Sequence, residues 1–231
     1  MFDPKKLLDD LLGSTIPGTE STVREKAGQV TQLAKDNPLA TGAIAAVLLG
    51  TGAGRALTGT ALRVGGLAAV AGLAYKAYQN YQAGNKPGET DSGAEILPPP
   101  NDTAFDPKLA PQGETDFALT LVRAMIAAAK ADGRIDDDER KKIGDRLALA
   151  GFDSETEAFL LGEMKNPISL DDLAASAQTD AQKVEVYAAS RLAIEPDTRA
   201  ERGYLDLLAG RLNLPEALVE HVEATVANVS R

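Results

Sequence analysis

The sequence predicts an all-α fold, in which a C-terminal bundle of about seven helices follows a glycine- and alanine-rich N-terminal helical hairpin. Three observations carry this prediction. From residue 115 onward, apolar residues recur at intervals of three and four, which is the spacing of helices with one buried face. Small polar residues that cap helices repeatedly precede an acidic residue by three positions. Near the N-terminus, two uncharged runs are rich in glycine and alanine.

The composition divides the chain into three regions: a membrane-associated helical region at 1–83, a proline-rich linker at 84–114 and an acidic helical domain at 115–231. Up to Thr90 there are nine basic and seven acidic residues, whereas the rest of the chain has 15 basic and 27 acidic residues. A nucleic-acid-binding domain needs clustered lysine and arginine to displace counterions. We therefore expect no nucleic-acid partner, and cationic partners suit the C-terminal region better.

The residue inventory excludes several kinds of site. The chain has no cysteine, which excludes disulfides, thiolate nucleophiles and cysteine-based zinc sites. Its one histidine, His221, excludes any site that needs two imidazoles, and we assign it no role. The first twelve residues mix acids with lysines and do not resemble a secretory signal.

In the first region, the apolar runs are marginal as membrane spans. Residues 39–54 form sixteen uncharged positions and residues 64–75 form twelve, or roughly 24 Å and 18 Å of helix. A comfortable span needs about 20 residues, although flanking Arg55, Arg63 and Lys76 can lengthen these runs by reaching the lipid surface. Tyr75, Tyr78 and Tyr81 are spaced as in a lipid-headgroup boundary. We predict membrane insertion or association; a buried soluble hairpin and disorder are the alternatives.

Small residues in the first run form a regular pattern. Gly42, Ala46, Gly50 and Gly54 recur every four positions, so in a helix they share nearly one face. Such a face lets a second helix approach closely. The pattern predicts either a compact hairpin or contact between copies of the chain. The basic residues outside the two runs then favour both termini on the cytoplasmic side.

The linker is the most proline-rich part of the sequence. Three consecutive prolines favour an extended polyproline conformation and exclude helix. We therefore predict that this segment is a spacer. Its six prolines are Pro87, Pro98, Pro99, Pro100, Pro107 and Pro111.

After the linker, apolar periodicity and capping signals place seven helices. Ser169, three residues before Asp172, and Thr198, three residues before Glu201, are two of the predicted caps. The predicted helices lie near residues 116–131, 137–150, 155–164, 170–177, 180–194, 199–212 and 216–229.

The turn between the first two of these helices is the strongest candidate for a metal site. Asp132, Asp136 and Glu139 can converge on one side of it, and oxygen-rich clusters suit hard divalent cations. The turn is not an EF-hand, because Ile143 stands where a bidentate glutamate is needed. Helix capping is the alternative, since Gly133 suits a helix C-terminus and Asp136 with Glu139 forms a capping box.

A weaker copy of this pattern follows 62 residues later, where Glu201 aligns with Glu139 and Arg202 with Arg140. An internal duplication would relate the two helix-turn-helix units by pseudo-symmetry. Asp197 and Glu201 thereby become further candidate metal ligands.

Residues 115–229 resemble the TerB-like domain of tellurite-resistance proteins, through the segment ADGRIDDDER and its later copy at Asp197–Glu201. The glycine-rich N-terminal half resembles the YebE-like inner-membrane family of bacterial proteins. The resemblance implies a bundle of two related helical units, acidic metal-binding residues and a role in envelope or metal-stress response without established catalysis. It also implies a bacterial inner-membrane protein, and the distribution of basic residues then predicts a cytoplasmic C-terminal domain. The second turn departs from a full acidic motif, with Pro196 and Thr198 in it.

Together these features predict a non-enzymatic, membrane-tethered interaction module that binds a divalent cation or a basic protein partner through its acidic turns. Two alternatives remain open. One is a metal-dependent hydrolase that uses paired carboxylates, although no nucleophile motif or phosphate-binding loop is present. The other is a structural membrane oligomer with the acidic domain as a solvated cap.

Overall fold

The computed structural model describes residues 2–12, 66–89, 97–131, 154–167 and 169–229. Within these ranges it contains eight α-helices, one short 3₁₀ helix and no strand, which confirms the predicted all-α class. The helices are α1 (Pro4–Leu12), α2 (Gly66–Gln82), α3 (Glu114–Ala129), α4 (Ser154–Lys165), α5 (Leu170–Ser176), α6 (Asp180–Ala193), α7 (Arg199–Arg211) and α8 (Glu216–Val229). The 3₁₀ helix, Pro107–Leu109, lies between α2 and α3.

From α3 onward, these helices match the predictions closely. Each of the six begins and ends within two residues of its predicted bounds, and the seventh predicted helix, 137–150, lies outside the described residues. The caps explain the agreement at the N-termini. Ser169 Oγ accepts a hydrogen bond from the Asp172 backbone N–H, and Thr198 Oγ1 accepts one from the Glu201 backbone N–H, as predicted. Thr179 caps α6 in the same way without having been predicted.

Helix α6 lies at the centre of the bundle. It packs most extensively against α3, and also against α2, α8 and α7. Apart from Asp180 and Lys183, all its residues are buried. Its main neighbour α3 is alanine-rich, with Ala124 and the run Ala127–Ala129 buried. These short side chains allow α3 and α6 to approach closely, since there is little bulk between the two backbones.

Helices α1 and α2 belong to the same hydrophobic core as α3, α6 and α8. Leu7 and Leu8 of α1 are buried against α2 and α3. Where α1 meets α2 the backbones are so close that a Cβ at Gly66 would overlap the Leu8 carbonyl. The Asp9 carboxylate accepts a 2.5 Å hydrogen bond from the Gly66 N–H and so caps α2 from a distant part of the sequence. The core therefore crosses the predicted domain boundaries at residues 83 and 115.

The end of the proline-rich segment also lies on the bundle. Pro99 is buried, and Phe105 packs between Tyr75 and Tyr78 of α2, with ring centroids 5.6 and 5.4 Å away. Backbone hydrogen bonds from Thr103 N–H to Pro100 O and from Asp106 N–H to Thr103 O fold it into successive turns. Residues 97–113 are thus part of the folded domain, whereas the sequence predicted a free spacer. One aromatic residue among the prolines provides the anchor.

The structure describes only part of the predicted membrane-associated region. Among the described residues, no helix combines the length and apolar character needed to cross a membrane. The first apolar run, 39–54, with its small-residue face, lies outside them. Most of the second run is α2, which packs against α8, α6 and α1. Its tyrosines, predicted at a lipid boundary, contact protein rings: Tyr75 and Tyr78 touch Phe105, and Tyr81 touches His221.

Candidate functional site

Two of the five predicted metal ligands are described, and both lie at the turn between α6 and α7, residues 194–198. Asp197 is exposed in this turn, and Glu201 is buried in the first turn of α7. The other three, Asp132, Asp136 and Glu139, lie outside the described residues. The structure therefore describes only the weaker of the two predicted acidic turns.

Glu201 is engaged in a capping box. Its Oε2 accepts a 2.8 Å hydrogen bond from the Thr198 N–H, while Thr198 Oγ1 accepts a 3.2 Å hydrogen bond from the Glu201 N–H. Only 7% of Glu201 is exposed. This geometry satisfies backbone donors that would otherwise have no partner at the start of α7. The carboxylate thus fixes the helix end.

Two arginines bind the carbonyl oxygens of the turn. Arg202 Nη1 donates to Pro196 O at 2.9 Å and to Asp197 O at 2.8 Å. Arg191 Nη1 donates to Ile194 O at 2.8 Å. Carbonyl oxygens are ligands that hard cations use, and here guanidinium groups occupy them and add positive charge beside Asp197. Among the described residues, no three acidic or histidine side chains are grouped closely enough to hold a metal ion.

A polar network joins α6 to α8 next to this turn. The Glu223 carboxylate accepts a 2.5 Å hydrogen bond from Arg191 Nε and a 2.8 Å hydrogen bond from Tyr187 Oη. Burial raises the pKa of the Tyr187 hydroxyl, and the neighbouring Glu223 charge raises it further. The tyrosine therefore remains a neutral donor. One carboxylate of α8 thus bridges two side chains of α6.

A second polar contact ties α6 to α3 and α7. The hydroxyls of Ser190 and Tyr204 lie 3.3 Å apart, and each is within hydrogen-bond distance of the Ala124 carbonyl. Burial raises the pKa of Tyr204 to about 12. Sequence reasoning did not identify these groups. Tyr187 and Arg191 are four apart and so share a helix face, but nothing local indicates that Glu223 lies opposite.

The surface of the C-terminal helices carries an excess of exposed carboxylates. Asp171 pairs with Arg211, and Asp180 pairs with Lys183. Six others have no ion-pair partner within the part of the chain that the structure describes. We call these the unpaired carboxylates: Asp172, Glu195, Asp197, Asp206, Glu216 and Glu220. They occur on α5, on α7, on α8 and in the turn between α6 and α7, so cationic groups can approach them from solvent.

Comparison with known proteins gives one family and one relative. A family model described as "Protein of unknown function (DUF533)" matches residues 34–226. A protein from Yersinia enterocolitica, described as "Uncharacterized protein in ampR 5'region", is 29% identical over 106 residues. That alignment covers 46% of this chain and 76% of the Yersinia protein. No solved structure matches the chain significantly.

Proposed function

This chain belongs to the DUF533 family, which is a TerB-like family, and from that premise we propose that it is a non-enzymatic interaction module. The module is tethered to a membrane and binds basic protein surfaces or a divalent cation. The observation that carries the proposal is the set of unpaired carboxylates on an ordered helical bundle. Carboxylates that have no internal partner retain their attraction for external cationic groups, which steers association and sets its salt dependence.

The membrane tether is assigned to the residues between α1 and α2. Helix α2 is already committed to the core, so residues 39–54 are the best remaining uncharged segment. The small-residue face formed by Gly42, Ala46, Gly50 and Gly54 supports helix pairing there, either within one chain or between copies. This arrangement fits the YebE-like inner-membrane family, with the helical bundle on the cytoplasmic side and a role in envelope or metal-stress response.

Sedimentation with vesicles tests the tether. The full chain is mixed with vesicles of neutral and anionic lipids. The test variant carries Leu48→Asp in the first apolar run, and the control variant carries Leu109→Asp on the exposed 3₁₀ helix. We expect only the first variant to lose vesicle binding. A wild-type chain that stays in the supernatant would refute the tether.

The basic partner is tested with a lysine-rich peptide as probe. Asp206→Asn with Glu216→Gln removes two unpaired carboxylates, and Asp171→Asn with Asp180→Asn removes the same charge from two carboxylates that are already paired. We expect the first pair to reduce the association rate several-fold at low salt and the second pair to reduce it much less. Equal losses of association rate in the two double variants would contradict the role of the unpaired carboxylates, because only the net charge of the chain would then matter.

The divalent cation is proposed for the first acidic turn. Calorimetry of the full chain with calcium, magnesium, manganese or zinc is compared between the wild type and a variant carrying Asp136→Ala and Glu139→Ala. A second variant, Asp197→Ala, tests the α6–α7 turn, where Arg202 already binds the carbonyls. We expect heat to be lost only in the first variant. Equal heats in all three proteins would remove the metal from the proposal.

A further inference from the structure

Glu185 is a carboxyl group at the centre of the bundle that takes part in none of the contacts described above. It lies near the middle of α6, and only 2% of it is exposed. Its Oε1 is buried and has no hydrogen-bond partner among the described residues. The residues one turn before and after it on the same face of α6 are Ala181, Gln182, Ala188 and Ala189, all buried, and the Gln182 side chain is hydrogen-bonded to Gln112. Glu185 therefore shares its helix face with three alanines and with one amide that is bonded elsewhere.

The titratable groups of the neighbouring helices are bonded to other residues or lie at the surface. On α8, Glu223 is bound by Arg191 and Tyr187, His221 lies against Tyr81, and Glu216 and Glu220 are exposed. On α7, Glu201 caps its own helix and Tyr204 contacts Ser190, while Arg199, Arg202, Asp206 and Arg211 are exposed. On α3, Arg123 binds Glu163, Glu114 binds Lys5, and Asp116 is exposed. The titratable residues of α2 are all partly exposed: Tyr75, Lys76, Tyr78 and Tyr81. None of these groups shifts the titration of Glu185, whose pKa is raised well above 4.5 by burial alone.

We propose that Glu185 is a proton-operated switch of the helical bundle: α6 stays closed among α2, α3 and α8 while the carboxyl group holds its proton, and loss of the proton opens the packing around α6. The physical reason is the cost of burying an unpaired carboxylate, which far exceeds the cost of burying a neutral carboxylic acid. An ionised Glu185 can regain solvation only if water reaches it. Because only 2% of Glu185 is exposed, more water reaches it when the helix contacts around α6 loosen.

The direction of the pH effect follows from linkage. Below about pH 4.5, Glu185 is protonated in the folded and the unfolded chain, so it adds no pH dependence. Above that pH the unfolded chain ionises first, while the folded chain keeps the proton. The unfolding equilibrium constant then rises about tenfold per pH unit until the folded-state pKa is reached. Stability is therefore lost as pH rises through this window.

The test compares the full-length wild type with Glu185→Gln, which is neutral at every pH and close in shape. We expect the wild-type unfolding constant, divided by that of Glu185→Gln, to be flat below pH 4.5 and to rise about tenfold per pH unit above it. Glu220→Gln, on the exposed face of α8, removes one carboxyl group from the surface and is the matched control, which is expected not to reproduce this rise. A flat ratio for Glu185→Gln between pH 4.5 and 9 would overturn the proposal. If that variant does not fold, Glu185→Leu replaces it in the same comparison.

Two further measurements report on the proton and on the opening separately, and the second distinguishes the switch from a merely buried acid. Infrared difference spectra recorded over a pH series that starts at 4.5 should contain a protonated carboxylic acid band that Glu185→Gln removes. Hydrogen exchange of the α6 amides should accelerate with pH more steeply in the wild type than in Glu185→Gln, after correction for the intrinsic rate. Exchange with identical pH dependence in both proteins would refute opening around α6.

Discussion

Replacing Phe105 with alanine tests whether the proline-rich segment is part of the folded domain. The side chain is 4% exposed and packs against the rings of Tyr75 and Tyr78. Truncation of a fully buried phenylalanine costs about 3–5 kcal/mol, which includes the lost burial and the cavity that remains. In a free spacer, the same substitution would change the free energy of unfolding by less than about 0.5 kcal/mol.

The assay is urea or thermal unfolding of the full chain, followed by circular dichroism and by tyrosine fluorescence. A loss of 3–5 kcal/mol lowers the melting temperature of a chain of this length by about 6–20 °C. Coincident transitions by both probes are required before the change is converted into a free energy. Leu109→Ala is the control, because Leu109 lies in the same segment but is 56% exposed.

Two results would refute this reasoning. If Phe105→Ala and Leu109→Ala both leave stability within about 0.5 kcal/mol of the wild type, the segment does not pack on α2 in solution. If both destabilise equally, the effect belongs to the backbone of the segment and Phe105 is not its anchor. The expected result is a large loss for Phe105→Ala alone.

Three further substitutions test other contacts of the bundle by denaturant unfolding. Gly66→Ala inserts a methyl group where the α1 backbone lies against α2, so it should cost at least about 1–3 kcal/mol. Gly162→Ala is the control: it lies in open space on α4 and should stabilise the chain by up to about 1 kcal/mol. If Gly162→Ala were the more destabilising of the two, the close approach of α1 and α2 would be contradicted. Thr198→Ala removes half of the capping box and should cost about 1 kcal/mol, with Thr198→Ser as the rescue; an unchanged midpoint would argue against the cap. Glu223→Ala leaves Arg191 and Tyr187 without their shared carboxylate and should cost about 1.5–3 kcal/mol; a loss below about 0.5 kcal/mol would contradict the bridge.

The agreement between sequence and structure is closest at the helix ends. Ser169 and Thr198 were predicted as caps from a residue three positions away, and both make the expected hydrogen bond. Such signals are local, because the donor and acceptor are fixed by adjacent backbone geometry. The same locality explains why the bounds of six C-terminal helices were predicted within two residues.

The candidate site was less predictable. The capping role of Glu201 follows from the sequence, but the binding of the turn carbonyls by Arg202 and Arg191 does not. The bridge from Glu223 to Tyr187 joins residues 36 positions apart, and no periodicity encodes that pairing. The first acidic turn, with Asp132, Asp136 and Glu139, stays a prediction because it lies outside the described residues.

By itself, the sequence determined that this chain is helical, where most of its C-terminal helices begin and end, and that its C-terminal region is acidic. Only the tertiary structure decided that α1, α2 and Phe105 share the core of the C-terminal helices, and that Glu185 is buried with no hydrogen-bond partner for its Oε1 among the described residues. The physical reason is that helix formation and capping depend on neighbours within four residues. Burial depends on which apolar faces meet, and those faces belong to segments far apart in the sequence, as the contact between Leu8 and Gly66 shows.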